Sequence, residues 1–364
     1  MHDHRLDRAR AALRDQGVDA LLVGPSADLR YLTGYHALPL ERLTLLVVPA
    51  ADEPILIVPE LESARARGSG ADQLAELRTF GELDDPVSLV VDHLGSQAAS
   101  GRLAVQDRLW ASFTLALQRA MPRADWVAGS TVMRSLRLIK TAEEVEALRA
   151  VGAAIDAVHA RVPELLRPGR TEAAVGRDIA ELILEDHDEV NFVIVASGPN
   201  GASPHHETGE RELEPGDAVV VDIGGTRNGY CSDMTRNYAV VELPEGYQQL
   251  HRVLEEAQDM AVDAVRPDVP AEHIDRVARD HLTTAGLGEY FIHRTGHGIG
   301  VEEHEEPWIV AGNREPLQPG MAFSVEPGVY LPGRFGARIE DIVVVTTDGV
   351  ERLNHRPRHA VVAG

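Results

Sequence analysis

The 364-residue chain has a single cysteine, Cys231, which excludes an intramolecular disulfide and fits a reducing compartment. No run approaches the ~18 consecutive apolar residues of a membrane-spanning helix. The opening residues, MHDHRLDRAR, lack the apolar stretch of a secretory signal. Positive charge is scarce as well, with 35 Lys and Arg against 58 Asp and Glu and a formal charge of −23. That balance argues against nucleic acid and against anionic membranes as partners, since both are recognised by clustered cations. A cytoplasmic location is therefore expected. Three chemical motifs are also missing: HExxH, CxxC and the GxSxG nucleophile elbow. Aromatic residues are few, and the 16 histidines equal Phe, Tyr and Trp together. An excess of imidazole points to metal or acid–base chemistry.

The first third alternates two kinds of pattern. Residues 7–16 have helical spacing and Gly17 has the place of a C-cap. The runs DALLVG (19–24), LTLLVVPA (43–50), PILIVP (54–59) and GRLAVQD (101–107) are short, apolar and bounded by Pro, Gly or Asp, as buried strands are. A helical stretch over 112–120 completes an α/β pattern. Ala128-Gly129-Ser130 reads as loop. Thr141 followed by Glu144 has capping-box spacing and opens a long helix over about 142–167. These signals divide the chain into domains 1–135 and 136–364.

The second domain repeats an order of features. Arg167-Pro168, a helix with Glu172 in its first turn, Pro215-Gly216 and a strand ending at Asp222 form one series. Arg266-Pro267, a helix with Glu272 near its start, Pro319-Gly320 and a strand ending at Glu326 form the other. In both, a carboxylate falls six residues after the glycine, so a duplicated helix-plus-sheet unit would bring Asp222 and Glu326 to one central site. VVVDIGGTRNGYCSDMTRNYAV reads as a β-hairpin. With Arg227-Asn228 as its two-residue loop, Asp222 and Asp233 face each other directly and repel unless a proton or cation lies between them. Glu340 opens a last apolar strand. His297 stands in TGHGIG, where glycines permit close approach to the backbone. Four oxygen donors and one imidazole suit a borderline-hard divalent ion. Cys231, two residues before Asp233, reads as a small buried hydrophobe and not as a ligand.

Asp222, Asp233, His297, Glu326 and Glu340 stand in VDIG, SDMTR, GHGIG, SVEPG and RIED. In that order and those contexts the chain resembles the pita-bread metallopeptidases. GPSADLRYLTGY, SGPNGASPHH, GHGIGVEEHEEP and EPGVYLPGRFGARIED are similar to the Xaa-Pro branch, which holds Xaa-Pro dipeptidase (prolidase) and aminopeptidase P. The likeness covers nearly the whole chain. It implies an α/β N-terminal domain of the creatinase N-terminal type and an α+β pita-bread catalytic domain with pseudo-twofold symmetry. It also implies two divalent ions per chain, with manganese favoured and cobalt, zinc or iron compatible. By resemblance, Asp222 binds one ion, Asp233 and Glu340 bridge both, and His297 and Glu326 complete the second. Glu326 also carries the proton. His205 and His304 face the substrate, with His206 turned to the opposite side if the segment is extended, and Arg338 is the active-site arginine. The implied activity is hydrolysis of the bond before proline, in dipeptides by slight preference and otherwise in longer peptides, by a homodimer. A non-catalytic scaffold on the same fold would be expected to have lost ligands, and creatinase works without this metal set. Every ligand position is intact here.

Overall fold

The apolar runs of the first third build the middle of one mixed sheet. In the computed structural model, which describes residues 2–364, its strands are Ala20–Val23 (β1), Leu45–Pro49 (β2), Ile55–Pro59 (β3), Glu76–Phe80 (β4), Arg102–Val105 (β5) and Asp125–Ala128 (β6). Their order is β4-β3-β2-β1-β5-β6, with β2 antiparallel to both of its neighbours, β1 and β3, and the other pairings parallel. Every residue of β1, β2 and β3 is buried, as unbroken Val/Leu/Ile runs require when both faces of a sheet are covered. Sequence reading passes over β4 and β6 because ELRTF and DWVA are interrupted by polar residues and partly exposed at the sheet edges. The helix His2–Gln16 ends at Gly17, whose φ of 63° is the left-handed cap geometry. The stretch read as a loop at 128–130 is instead the end of β6 and the start of a helix, Ser130–Arg137. This unit ends there, and the chain divides between Arg137 and Leu138.

The second unit opens with the capping box at Thr141. The Thr141 hydroxyl accepts from the Glu144 amide at 3.3 Å, and the Glu144 carboxylate accepts from the Thr141 amide at 2.9 Å. The 24-residue helix Ala142–Leu165 follows, then Glu172–Ile183. These two precede the strands Glu189–Ser197 (β7), Ala218–Arg227 (β8), Tyr230–Cys231 (β9) and Met234–Val240 (β10). The pattern then recurs: helices Tyr247–Asp263 and Ala271–Thr284, followed by Gly296–Gly298 (β11), Glu305–Ile309 (β12), Ala322–Val325 (β13), Gly328–Leu331 (β14), Phe335–Arg338 (β15) and Asp341–Val345 (β16). Val350–Arg352 (β17) and Val361–Ala363 (β18) close the chain. One sheet runs β18-β10-β8-β7 with β9 on β8, the second runs β12-β11-β13-β16-β17, and β14-β15 form a separate ribbon.

Matching backbone bonds establish the duplication. The Gly169 amide donates to the Leu213 carbonyl and the Asp268 amide to the Leu317 carbonyl, both at 2.9 Å. Gly216 donates to Val240 at 2.8 Å, and Gly320 to Val345 at 2.9 Å. Both glycines have nearly the same left-handed φ, 88° and 89°, a conformation that favours glycine in each Pro-Gly turn. Each half has its own apolar core, one around Val175, Ile179, Val219 and Val221, the other around Leu254, Ile274, Phe323 and Val343. Among the described residues, no helix is long and apolar enough to cross a membrane.

The hairpin forms with a different loop from the one the sequence suggests. Arg227 pairs with Tyr230, so the turn is Asn228-Gly229, with φ of 51° and 83° as a type I′ turn demands. Asp222 therefore pairs with Thr235, not with Asp233. The slip is two residues, and side chains alternate with period two, so Asp233 keeps the face assigned to it.

His159, on the long helix, is completely buried between the two layers of the first half. Its Nε2–H donates to the Met234 carbonyl at 3.0 Å, which leaves Nδ1 to accept from the Tyr238 hydroxyl at 2.9 Å. Burial, and then the charge of Arg236, lower its pKa to about 3. The unfolded chain takes up this proton near the ordinary histidine value of about 6.5, and the folded chain does not. Stability from this group is thus complete above about pH 6.5 and is lost as pH falls towards 3, by up to ~1.4 kcal/mol per pH unit. His159→Gln, which does not titrate, is expected to flatten the fall of unfolding free energy between about pH 6 and about pH 4.5 in urea titrations.

Candidate metal centre

Two strands and three strand junctions deliver the carboxylates and the imidazole. Asp222 is the fifth residue of β8, Asp233 immediately precedes β10, His297 is the middle residue of β11, Glu326 follows β13, and Glu340 lies between β15 and β16. All five line one cavity of about 590 Å³ together with His205, His304 and Arg338. Asp222, Asp233, His297 and Glu340 are buried, and the Glu326 side chain is 14% exposed. Each half of the duplicated unit thus supplies the carboxylate six residues after the glycine of its Pro-Gly turn. The strand expected to end at Asp222 runs on to Arg227, so Asp222 lies within β8 while Glu326 directly follows β13. Asp233, His297 and Glu340 bring ligand atoms within 4.8 Å of one another.

The glycines around His297 serve the sheet. A Cβ on Gly296 would lie 1.9 Å from the Ser324 carbonyl oxygen, and one on Gly298 would lie 2.1 Å from that of Glu306. Only bare backbone lets β11 pass between its neighbours and present the ring. The His297 ring makes one bond through Nδ1, whose hydrogen goes to the Gly298 carbonyl at 3.1 Å. Nε2 then faces Glu326 Oε1 at 3.2 Å and Asp233 Oδ2 at 3.7 Å. A nitrogen lone pair and two carboxylates in such contact require a proton or a cation among them.

The carboxylates carry the same requirement. Burial, and then the charges of Glu340, Asp222 and Glu326, push Asp233 well above the usual carboxylate range. Burial, Glu326 and Asp222 do the same to Glu340. Burial also acts to raise Glu326, but a proton held between it and His297 Nε2, with His293 and Arg338, keeps it below its ordinary value. Asp222 Oδ1 and Glu340 Oε1 are buried without a hydrogen-bond partner. An unpartnered buried oxygen is costly, and hard oxygen donors with one imidazole are the set that divalent cations take. The residues present fit such ions.

Arg338 donates to Asp222 Oδ2, to the Tyr330 hydroxyl at 2.8 Å, to Thr235 Oγ1 at 3.1 Å and to the Pro204 carbonyl at 3.2 Å. Its ion pair is with Asp222 and not with the glutamates, because β15 ends at Arg338 and the chain changes sheet before Glu340. Thr235 in turn donates to Glu340 Oε2 at 2.8 Å. His304 sets its ring edge-on to His297, with centroids 4.1 Å apart. His205 and His206 lie in a turn and coil instead of a strand, yet they diverge: His205 lines the cavity, while His206 Nε2 bonds the buried Glu172 carboxylate at 2.7 Å. Cys231 is buried, with Sγ 3.6 Å from Thr226 Oγ1, and does not line the cavity.

Sequence reading missed Phe192, Ile194, Pro204, His293, Arg294 and Glu303 in the cavity wall. Phe192 and Ile194 alternate along β7, and the period-two pattern of NFVIVAS could have found them. Thr235 and Tyr330 carried no signal, since their roles depend on Arg338 arriving from another sheet.

Buried carboxylates and an imidazole lining one cavity, on a duplicated α+β scaffold, define a metal-dependent hydrolase. Residues 146–347 match metallopeptidase family M24, and residues 5–139 match the Creatinase/Prolidase N-terminal domain. The chain belongs to metallopeptidase family M24, with the pita-bread catalytic domain of that family. It is 51% identical over 365 residues to the probable dipeptidase PepE of Mycobacterium tuberculosis, covering 100% of this chain and 96% of the relative. It is 35% identical to the Xaa-Pro dipeptidase of Lactobacillus helveticus, covering 96% of each. The crystal structure of a recombinant prolidase from Thermococcus sibiricus matches with a TM-score of 0.94 at 34% identity, over 100% of this chain and 99% of that one.

Gly296→Ala is expected to force β11 from β13 and to destabilise the protein by roughly 1–3 kcal/mol, the usual cost of overpacking. Gly68→Ala, whose added Cβ meets nothing within 4 Å, should leave the urea midpoint unchanged. Equal midpoints for the two variants would show that β11 does not need bare backbone at this point.

Proposed function

We propose that this metallopeptidase hydrolyses the bond between an N-terminal residue and proline, with Xaa-Pro dipeptides as preferred substrates. The observation that carries the reading is the convergence of Asp222, Asp233, His297, Glu326 and Glu340 on one cavity, with two of their oxygens unpartnered. In this reading the five residues would hold two divalent ions, manganese by preference. Bound there, the ions would supply the positive charge that ionises water near neutral pH and stabilises a developing oxyanion.

The remaining tasks belong to the chain. Glu326, placed by the Ser324 hydroxyl at 3.1 Å, takes the proton of the attacking water and returns it to the departing nitrogen. Arg338 orients Asp222 through the ion pair between them. His205 and His304 offer hydrogen bonds to the substrate. Proline presents a rigid ring and its peptide nitrogen no hydrogen, and Phe192, Ile194 and Pro204 give the cavity an apolar wall suited to it. The printed names of two relatives, Xaa-Pro dipeptidase and prolidase, support the dipeptide preference. A homodimer and a cytoplasmic location belong to the same reading, the first by resemblance to the family and the second from the lone buried cysteine.

Asp233→Ala is expected to abolish turnover of Ala-Pro and to lower metal content, by elemental analysis, from about two equivalents per chain. Near-normal turnover in that variant would overturn the assignment. Comparing Ala-Pro with Ala-Pro-Ala decides the substrate class. A kcat/KM advantage beyond about tenfold, or ~1.4 kcal/mol, is expected for the dipeptide. The same margin in favour of the tripeptide would make the enzyme an aminopeptidase with its metal chemistry unchanged.

A further inference from the structure

Glu172 is a carboxylate with no exposed surface, at the first turn of the helix Glu172–Ile183. Its Oε1 accepts from the Ser197 amide at 2.7 Å, the Ser197 hydroxyl at 2.6 Å and the Asn200 side-chain amide at 3.0 Å. Its Oε2 accepts from His206 Nε2 at 2.7 Å, from Asn200 at 3.2 Å and from the Gly209 amide at 3.4 Å. One carboxylate thus gathers four points of the segment 197–209, all of them 25 to 37 residues further along the chain. His205 lies inside that segment and lines the cavity, and the carbonyl before it, Pro204, accepts from Arg338. The segment is clamped on one side by Glu172 and on the other by the arginine that bonds Asp222.

The second half repeats the device. Asp275, on the helix Ala271–Thr284, accepts from both the amide and the hydroxyl of Thr295, at 3.1 and 2.9 Å, two residues before His297. In each half a buried helix carboxylate takes the amide and hydroxyl of one residue and fixes the chain that carries a cavity histidine. A carboxylate that served packing alone would not need donors from four residues of one loop. Burying it unpaired would cost several kcal/mol.

We infer that Glu172 is a positioning residue for His205, acting through His206 and Asn200 and touching neither substrate nor metal. The inference rests on the reading of His205 as a substrate-facing group. Pulling His206 inward turns its neighbour toward the cavity, so loosening the clamp leaves His205 present but misdirected.

The test is a double-mutant cycle in the full-length, metal-loaded protein with Ala-Pro. Glu172→Gln puts an amide nitrogen among donors, so kcat is expected to fall roughly ten- to hundredfold, with metal content by elemental analysis unchanged. Glu172→Gln combined with His205→Ala is expected to be no slower than His205→Ala alone, because the two changes remove one contribution. Multiplying effects, or metal loss in Glu172→Gln, would overturn the inference and leave Glu172 a structural residue. Should Glu172→Gln fail to fold, His206 carries the test. His206→Gln retains a donor to Glu172 and should keep the activity that His206→Leu loses, whereas equal activity of the two would overturn the clamp. Hydrogen exchange adds a readout independent of turnover: His206→Leu should speed exchange in 197–209 and not in β8, and unchanged exchange would overturn the inference. A wild type that cleaves no Xaa-Pro peptide refutes the proposed function and not the clamp.

Discussion

Five carboxylates, Asp222, Asp233, Glu303, Glu326 and Glu340, share one cavity, and their mutual repulsion is the constraint on which the rest of the catalytic unit depends. Asp233 is driven above the ordinary carboxylate range by burial and by Glu340, Asp222 and Glu326, and Glu340 by burial and by Glu326 and Asp222. Among the described residues, the buried carboxylate oxygens without a hydrogen-bond partner are Asp222 Oδ1 and Glu340 Oε1, and both residues line this cavity. The contrast with Asp341 is instructive. One residue after Glu340, it is just as buried, yet it accepts from Arg236, Arg352 and Gln258 and is held below its usual value despite burial. The chain can satisfy a buried carboxylate fully, and it does so beside the site. Within the site it leaves oxygens unpaired and turns the bare nitrogen of His297 toward them, an arrangement stabilised by cations.

Holding these groups together is a matter of backbone geometry. The duplicated unit brings the middle of β8 and the end of β13 to the same cavity, and the glycines flanking His297 let β11 lie between β12 and β13 without a side chain in the way. Supporting bonds then link the halves. Arg338 bonds Asp222 and Thr235, and Thr235 bonds Glu340, so a ribbon, one sheet and the start of another are joined through four side chains. The Glu172 and Asp275 clamps fix the segments that carry His205 and His297. Charge repulsion at the centre is tolerated because the shell around it is rigid and fully bonded.

Some of this was legible from residues alone. Buried strands β1, β2, β3 and β5 declared themselves as unbroken apolar runs, and the capping box at Thr141 marked the start of the long helix. The repeat showed in the spacing of Pro-Gly turns and carboxylates. These features are local, and their physics acts within a few residues. The five candidate ligands could be named because each sits in a short motif, VDIG, SDMTR, GHGIG, SVEPG or RIED, that resembles the family's.

What needed tertiary structure was every relation between distant segments. The hairpin register shifted by two residues, because Asn228-Gly229 adopts the left-handed turn more readily than Arg227-Asn228. The partner of Arg338 proved to be Asp222, because the chain changes sheets between Arg338 and Glu340, and that change has no signature in RIED. Edge strands β4 and β6 lacked an apolar run, since an edge need not be buried on both faces. The clamp on the His205 segment joins residues up to 37 positions apart. Composition and periodicity determined which elements form and which side chains can bind cations. Which of those side chains meet was decided by packing, because contact depends on the path of the whole backbone and not on local preference.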